Sequence, residues 1–174
     1  MKAMLLAAGR GVRMQALTDN TSKVLLKVGG KALIDYHLEK LATAGFQDIV
    51  INLCYQAEQV KAYLGDGQHY GLNLHFSVES ERLGMGGGIV NALPLLGSGA
   101  FAVLSADIWT DYDYRQLRKP PKQQAHLIMV DNPSIHPAGD YELANGQVLP
   151  SGNDNLTFSG MGCFTADLFR ALKP

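Results

Sequence analysis

Ala3-Met4-Leu5-Leu6-Ala7-Ala8-Gly9-Arg10-Gly11-Val12-Arg13-Met14 is an unbroken apolar run that stops at a glycine-rich turn carrying arginines. The run Ala3–Ala7 shows no polar alternation, as expected of a strand buried on both faces, and such strands belong to parallel sheets covered by helices. A secretory signal is the competing reading of an apolar N-terminus behind Lys2. Its apolar core, Ala3–Ala8, has only six residues where roughly 7–15 are needed, and Gly9-Arg10-Gly11 and Arg13 follow at once. A buried first strand is the better reading.

Outward from this strand the pattern alternates. Leu33, Ile34, His37, Leu38 and Leu41 recur at helical spacing, with Gly45 where a C-terminal cap glycine belongs. Asp48–Leu53 reads as a second strand, Ala57–Leu64 as a short helix closed by Gly65, and Leu72–Val78 as a third strand. Gly88–Leu96 reads as a helix that Pro94 should end or bend. Phe101–Ser105 is a fourth strand, Tyr112–Leu117 a short helix and Ala125–Val130 a fifth strand. Asn145-Gly146, between Tyr141-Glu142-Leu143 and Gln147-Val148-Leu149, is a strong hairpin signal. After a loop at Pro150–Asn155, Leu156–Phe164 reads as a strand and a final helix begins near Thr165. Strands separated by helices imply right-handed βαβ units, so the expected fold is a single-domain three-layer α/β/α structure on a mainly parallel sheet. A length of 174 residues suits one domain.

Composition excludes several classes. Lys+Arg is 15 and Asp+Glu is 16, a net charge of -1, which gives no reason to expect a nucleic acid or membrane surface as partner. Hydrophobic residues at 47% and charged residues at 18% supply a core and exclude disorder. No apolar run approaches the roughly 18 residues of a membrane span. Cys54 and Cys163 are too few for a disulfide framework or a four-cysteine zinc site. Both lie in apolar surroundings and read as buried, reduced thiols of a cytoplasmic protein. The chain ends at Lys173-Pro174 as its last helix gets under way, so a further native C-terminal segment is expected.

In a sheet of this kind chemistry collects at the carboxyl ends of the strands, and three segments there are unusual. The glycine turn after the first strand can close backbone N–H groups on an anion, with Arg13 as a bidentate phosphate fork. It is neither the dinucleotide fingerprint, since Met14 takes the place of the third glycine, nor a Walker A loop. A tight turn with a solvated arginine is the plain alternative. Lys23 stands ten residues after Arg13, before an apolar run that holds it near the first loop. Its plain alternative is a solvated charge. Asp107, leaving the fourth strand, is placed to hold Mg²⁺, which favours carboxylates plus substrate phosphates. A helix cap or Asx turn is the alternative there, for which Asp111 is the better candidate. Gly84-Met85-Gly86-Gly87-Gly88 forms a loop with room for a planar base against the backbone. A branched residue at Gly11 is expected to block phosphate while leaving the core alone.

These residues together resemble the sugar-1-phosphate nucleotidyltransferases: Leu6-Ala7-Ala8-Gly9, Gly11, Arg13-Met14, Leu17-Thr18, Lys23, Gly86-Gly87-Gly88-Ile89 and Asp107-Ile108-Trp109-Thr110-Asp111, in order along the whole chain. Val130–Asp140 and Phe158-Ser159-Gly160 resemble, within them, the N-acetylmuramate-1-phosphate uridylyltransferases of cell-wall recycling. The resemblance implies a Rossmann-like nucleotidyltransferase fold. It implies that Gly9, Gly11 and Arg13 hold the triphosphate, with Ala8, Val12 and Ser105 also at the nucleotide, and Lys23 on the reacting phosphate. Gly86 and Gly87 would face the base, Asp107 would bind Mg²⁺ and Asp140 would contact the sugar. Arg13, Lys23 and Asp107 would carry catalysis, with a nucleoside triphosphate and a sugar 1-phosphate as partners. Three departures stand out. Ala16, Ser22 and Val24 replace prolines usual in the family, which frees backbone around both phosphate-binding segments. Met85 replaces a common threonine. The family's second metal aspartate lies beyond Pro174, leaving one protein carboxylate for Mg²⁺. Other substrate pairs stay open (mannose 1-phosphate with GTP, glucose 1-phosphate with dTTP, phosphocholine with CTP), as does a catalytically weak nucleotide-binding module.

Overall fold

The computed structural model describes residues 1–150, 152 and 154–173. In chain order the strands and helices are β1 (Lys2–Leu6), β2 (Lys27–Val28), β3 (Lys31–Ala32), α1 (Leu33–Thr43), β4 (Asp48–Leu53), α2 (Ala57–Leu64), β5 (Asn73–Val78), α3 (Gly84–Leu96), β6 (Ala100–Ser105), β7 (Ala125–Val130), β8 (Tyr141–Ala144), β9 (Gln147–Leu149) and β10 (Asn155–Thr165). The main sheet runs β5-β4-β1-β6-β10-β8-β9, with β7 also paired to β10. β5, β4, β1 and β6 are parallel neighbours. β10 is antiparallel to β6 and to both β7 and β8. The expected parallel body is present, and the antiparallel half completes a mixed sheet. Its cause is local connection. The chain passes from β7 through the β8–β9 hairpin to β10 without a crossover helix, and parallel pairing needs such a crossover. The hairpin turns at Asn145 (φ 52°) and Gly146 (φ 74°), the left-handed pair that matches strand twist.

Period two along the parallel strands sends side chains to alternate faces and so makes two cores. Ala3, Leu5, Ile49, Ile51, Leu53, Ala102 and Leu104 pack against Ile34, Leu38 and Leu41 of α1 and Val60 and Leu64 of α2. Met4, Val50, Phe101 and Val103 face Ile89, Ala92 and Leu96 of α3, with Phe164 and Phe169. Each fully buried Val, Leu, Ile, Phe or Met side chain among these contributes about 1.5–3 kcal/mol. α1 ends as anticipated. Gly45 is left-handed (φ 85°), its N–H donates to the Ala42 carbonyl and the Phe46 N–H to the Leu41 carbonyl, the Schellman arrangement.

Local reading failed where packing intervened. Gly84–Gly88 is not a loop but the first turns of α3, which Gly84 enters at φ 73°. Pro94 does not end α3, because the helix runs on to Leu96, held by Ala92 and Leu96 against the sheet. Tyr112–Leu117 is a 3₁₀ turn at Tyr114–Arg118, capped by Asp113 rather than Asp111; the Asp113 carboxylate accepts from the Arg115 N–H at 3.0 Å. The last helix is only a 3₁₀ turn at Ala166–Leu168. Cys163 is buried, its thiol donates to the Leu117 carbonyl at 2.8 Å, and burial pushes it up to about 11. Cys54 is only half-buried, contrary to expectation.

Candidate active site

β1 has β4 on one side and β6 on the other, so the chain leaves β1 towards one edge of the sheet and later returns to its opposite side. The loops after β1 and β6 therefore diverge and open a crevice at the carboxyl ends of the strands, where open α/β sheets bind ligands. A pocket of about 500 Å³ lies here, lined by Gly9, Arg10, Gly11, Val12, Arg13, Met14, Lys23, Arg82 and Asp107. Four cations and one carboxylate line it. Lys23 Nζ donates to Asp107 Oδ2 at 2.6 Å across 84 residues of sequence, with the side chains 21% and 40% exposed. The fold thus unites the three residues expected to carry catalysis, Arg13, Lys23 and Asp107.

Sequence reading assigned no role to Arg10 and missed Arg82. Arg10 lies in the glycine turn itself, its guanidinium 5.3 Å from the centroid of the Tyr55 ring. Arg82 lies four residues beyond Val78, in the turn between β5 and α3, so its position past the carboxyl end of a parallel strand was the available signal.

Gly11 is structurally required. Its φ is 71°, and a Cβ there would meet Thr18 Cγ2 at 3.1 Å and Lys23 Cβ at 3.2 Å. The Gly11 carbonyl accepts from the Met14 N–H at 2.7 Å and from the Thr18 hydroxyl at 3.1 Å. The expectation that a branched residue would leave the fold untouched is therefore corrected. Gly9 is different, because it has no neighbour within 4 Å of a built Cβ.

Lys23 follows a segment that lacks the expected prolines, yet α2 holds it. The Gln59 carboxamide accepts from the Ser22 N–H (2.9 Å) and the Thr21 hydroxyl (3.1 Å) and donates to the Asn20 carbonyl (3.2 Å). Ser22 adopts φ −65°, the angle a proline would impose, and its extra N–H is met by Gln59. Its hydroxyl is buried without a hydrogen-bond partner. A buried unsatisfied group costs about 1–3 kcal/mol. Ser22→Ala should therefore raise the thermal midpoint by at least about 2 °C in a domain of this size, with catalysis unchanged. Calorimetry checks the first outcome and an activity assay the second.

The glycine run is tied to the loop after β1 through a buried chain. The Ala7 N–H donates to Asn52 Oδ1 (2.9 Å), Asn52 Nδ2 to Glu79 Oε1 (2.7 Å), and the Leu83 N–H to Glu79 Oε2 (3.2 Å). A Cβ on Gly88 would stand 2.8 Å from both Asn52 and Glu79, so Gly88 serves close packing of α3. Gly86 has open space at its Cβ position. Ala8, Ser105, Gly86, Gly87 and Asp140 do not line the 500 Å³ pocket. Ser105 ends β6 beside Leu6 of β1, and Gly160 leaves room for its hydroxyl, which a Cβ would approach to 2.7 Å. Asp140 has both oxygens engaged: Oδ2 accepts from the Phe158 N–H at 2.8 Å, and Oδ1 lies 3.1 Å from His136 Nε2. It pins its loop to β10.

Among the described residues no group of three or more His, Cys, Asp or Glu is gathered to hold a metal. Asp107 alone offers a carboxylate in the pocket, which suits an ion that takes most of its oxygens from a bound phosphate chain. No helix of the described residues is long and apolar enough to cross a membrane.

Comparison with known proteins agrees with this geometry. The profile of the Nucleotidyl transferase family matches residues 2–143. The chain is 44% identical to the N-acetylmuramate alpha-1-phosphate uridylyltransferase of Neisseria meningitidis serogroup B, over 99% of this chain and 79% of that protein. It is 36% identical to the mannose-1-phosphate guanyltransferase of Aspergillus fumigatus, over 77% of this chain and 39% of that protein. The fold matches HddC of Yersinia pseudotuberculosis complexed with GMP-PN, with a TM-score of 0.79 and 20% identity, over 98% of this chain and 79% of that one. A cationic glycine loop after β1, a lysine and an aspartate joined across the β1/β6 crevice, and a family profile spanning both place this chain in the Nucleotidyl transferase family, as a transferase enzyme.

Proposed function

We propose that the protein joins UTP to N-acetylmuramate 1-phosphate and releases pyrophosphate. The observation that carries this reading is the crevice itself, which Arg10, Arg13, Lys23 and Arg82 line together with the glycine loop and a single carboxylate. That is a site for a polyphosphate. The choice of substrates rests on the 44% identity to the meningococcal uridylyltransferase. A sugar phosphate is already an ionised nucleophile, so no covalent intermediate is needed. One of its oxygens attacks the α-phosphorus in line, and the bond to the pyrophosphate breaks. Arg13 and Lys23 offset charge on the phosphoryl oxygens and the leaving group, so positioning and electrostatics supply most of the acceleration. Asp107, with oxygens of the triphosphate, would hold Mg²⁺, which when bound neutralises phosphate charge and orients the chain of phosphates. For this Lys23 must leave Asp107 for phosphate, an exchange in which each partner of the ion pair gains a new counter-charge. Gly86 and Gly87, at the start of α3, would face the base.

The test is pyrophosphate release over a grid of UTP, GTP, dTTP and CTP against N-acetylmuramate, mannose and glucose 1-phosphates and phosphocholine. UTP with N-acetylmuramate 1-phosphate should give the highest kcat/KM. A higher value for another pair reassigns the substrates, and nucleotide binding without release from any pair makes the chain a binding module. Asp140 is proposed to act on the sugar side, through the loop it pins to β10. Asp140→Ala should raise KM for the sugar phosphate about tenfold while KM for the nucleotide changes less than twofold. Equal rises in both, with a lowered thermal midpoint, would make Asp140 a support of the fold alone.

A further inference from the structure

The segment that carries Asp107 is gripped residue by residue from α1. His37 Nε2 lies 3.0 Å from the Ile108 carbonyl, and His37 Nδ1 lies 2.7 Å from the Tyr114 hydroxyl. Tyr36 meets Trp109 edge to face with ring centroids 4.8 Å apart. The Lys40 ammonium donates to the Thr110 carbonyl and lies 5.5 Å from the Tyr114 ring centroid. Lys40 lies one helical turn beyond Tyr36 and His37, so the three flank one side of α1 and reach successive residues of the segment. On the other side of Asp107, the Ala106 N–H donates to the Leu6 carbonyl at 3.1 Å. Asp107 is thus the single residue between an anchor on β1 and an anchor on His37.

The partners assign the imidazole's hydrogens. A carbonyl only accepts, so Nε2 carries the proton towards Ile108, and Nδ1 then accepts from the Tyr114 hydroxyl. Burial pushes His37 below its ordinary value of 6.5, the direction that favours the neutral ring these partners require. His37 is only 4% exposed and does not line the phosphate pocket. Its hydrogen bonds are spent on holding a loop.

We propose that His37 is a positioning residue for the carboxylate of Asp107, acting through the Ile108 carbonyl and locked in its tautomer by Tyr114. The role rests on the nucleotidyl-transfer reading for its effect on rate, whereas the mechanical part stands on the contacts alone. Displacements near 1 Å at a reacting centre can cost about 10²-fold in rate, and groups that orient a metal ligand typically affect metal affinity or activity 10–100-fold.

The molecule contains its own reporter, because Trp109 is its one tryptophan and lies two residues from Asp107. In His37→Leu, time-resolved fluorescence anisotropy of Trp109 should gain a fast local component absent from the parent. The Mg²⁺ concentration for half-maximal pyrophosphate release should rise about tenfold, and KM for the sugar phosphate should stay within twofold. Tyr114→Phe keeps the ring and removes only the hydroxyl, so it should move both readouts the same way by a smaller factor, and it carries the test if His37→Leu does not fold. Tyr70→Phe serves as the control, since it loses a part-buried hydrogen bond to Asp35 (2.5 Å) in the first turn of α1, and neither residue lines the crevice. If the variants lower the thermal midpoint while anisotropy and Mg²⁺ requirement stay at parent values, or if Tyr70→Phe shifts them equally, His37 merely fills the core. If the parent releases pyrophosphate from no substrate pair, the transfer reading fails, and the anisotropy still decides the positioning role.

Discussion

Replacing Lys23 with alanine should lower kcat by about 10²–10³-fold and raise KM by a much smaller factor. Loss of one preorganised group aimed at developing charge typically costs this much, and a group that acts mainly in the transition state appears in kcat. The fold should survive. Lys23 is a fifth exposed and its partner Asp107 two-fifths exposed, and ion pairs at such surfaces contribute about 0–1 kcal/mol. Steady-state pyrophosphate release measures the first effect and circular dichroism the second. Retention of more than about half the parent kcat would reduce Lys23 to a counter-ion for Asp107 in the free protein.

Gly11→Val should abolish measurable triphosphate binding and also lower the thermal midpoint. The backbone there is left-handed, a conformation that costs an L-residue roughly 1–2 kcal/mol and a β-branched one more. The new side chain would also press on Thr18 and on the stem of Lys23. At about 2–4 °C per kcal/mol, the midpoint should fall by at least about 3 °C. Gly9→Ala separates the two effects, because nothing in the free protein opposes a Cβ there. It should weaken triphosphate binding by about tenfold or more, through the methyl group alone, at an unchanged midpoint. Titration calorimetry with UTP and thermal denaturation of both variants give the comparison. Normal binding by Gly9→Ala would mean that phosphate does not approach the loop backbone.

Much of the fold was legible because its signals are local and redundant. β1 and β6 are almost wholly apolar runs, β4 is apolar but for Asp48 and Asn52, α1 has a 3.6-residue stripe and a Schellman glycine, and Asn145-Gly146 declares its hairpin. The errors fall where local and tertiary preferences conflict. Glycines and Pro94 argue against a helix over Gly84–Leu96, yet α3 forms because Ile89, Ala92 and Leu96 are buried on the sheet while Gly88 allows it to approach Asn52 and Glu79. Likewise, the missing prolines around Lys23 suggested a loose segment, but Gln59, far off in sequence, supplies the restraint.

The sequence by itself determined the layered α/β class and the order of most elements, and it singled out the glycine loop, Lys23 and Asp107 as candidates for an anion and metal site. Those depend on periodicity, on backbone freedom at glycine and on residue chemistry, all of which are written along the chain. Only the tertiary structure decided that Lys23 and Asp107 meet at 2.6 Å, that Arg82 joins them, and that His37 and Gln59 hold their segments in place. These facts depend on strand order, which sets β6 beside β1 with β4 on its other side, and on side chains meeting from elements tens of residues apart. No local pattern encodes such meetings, because burying both faces of one sheet constrains the whole chain at once.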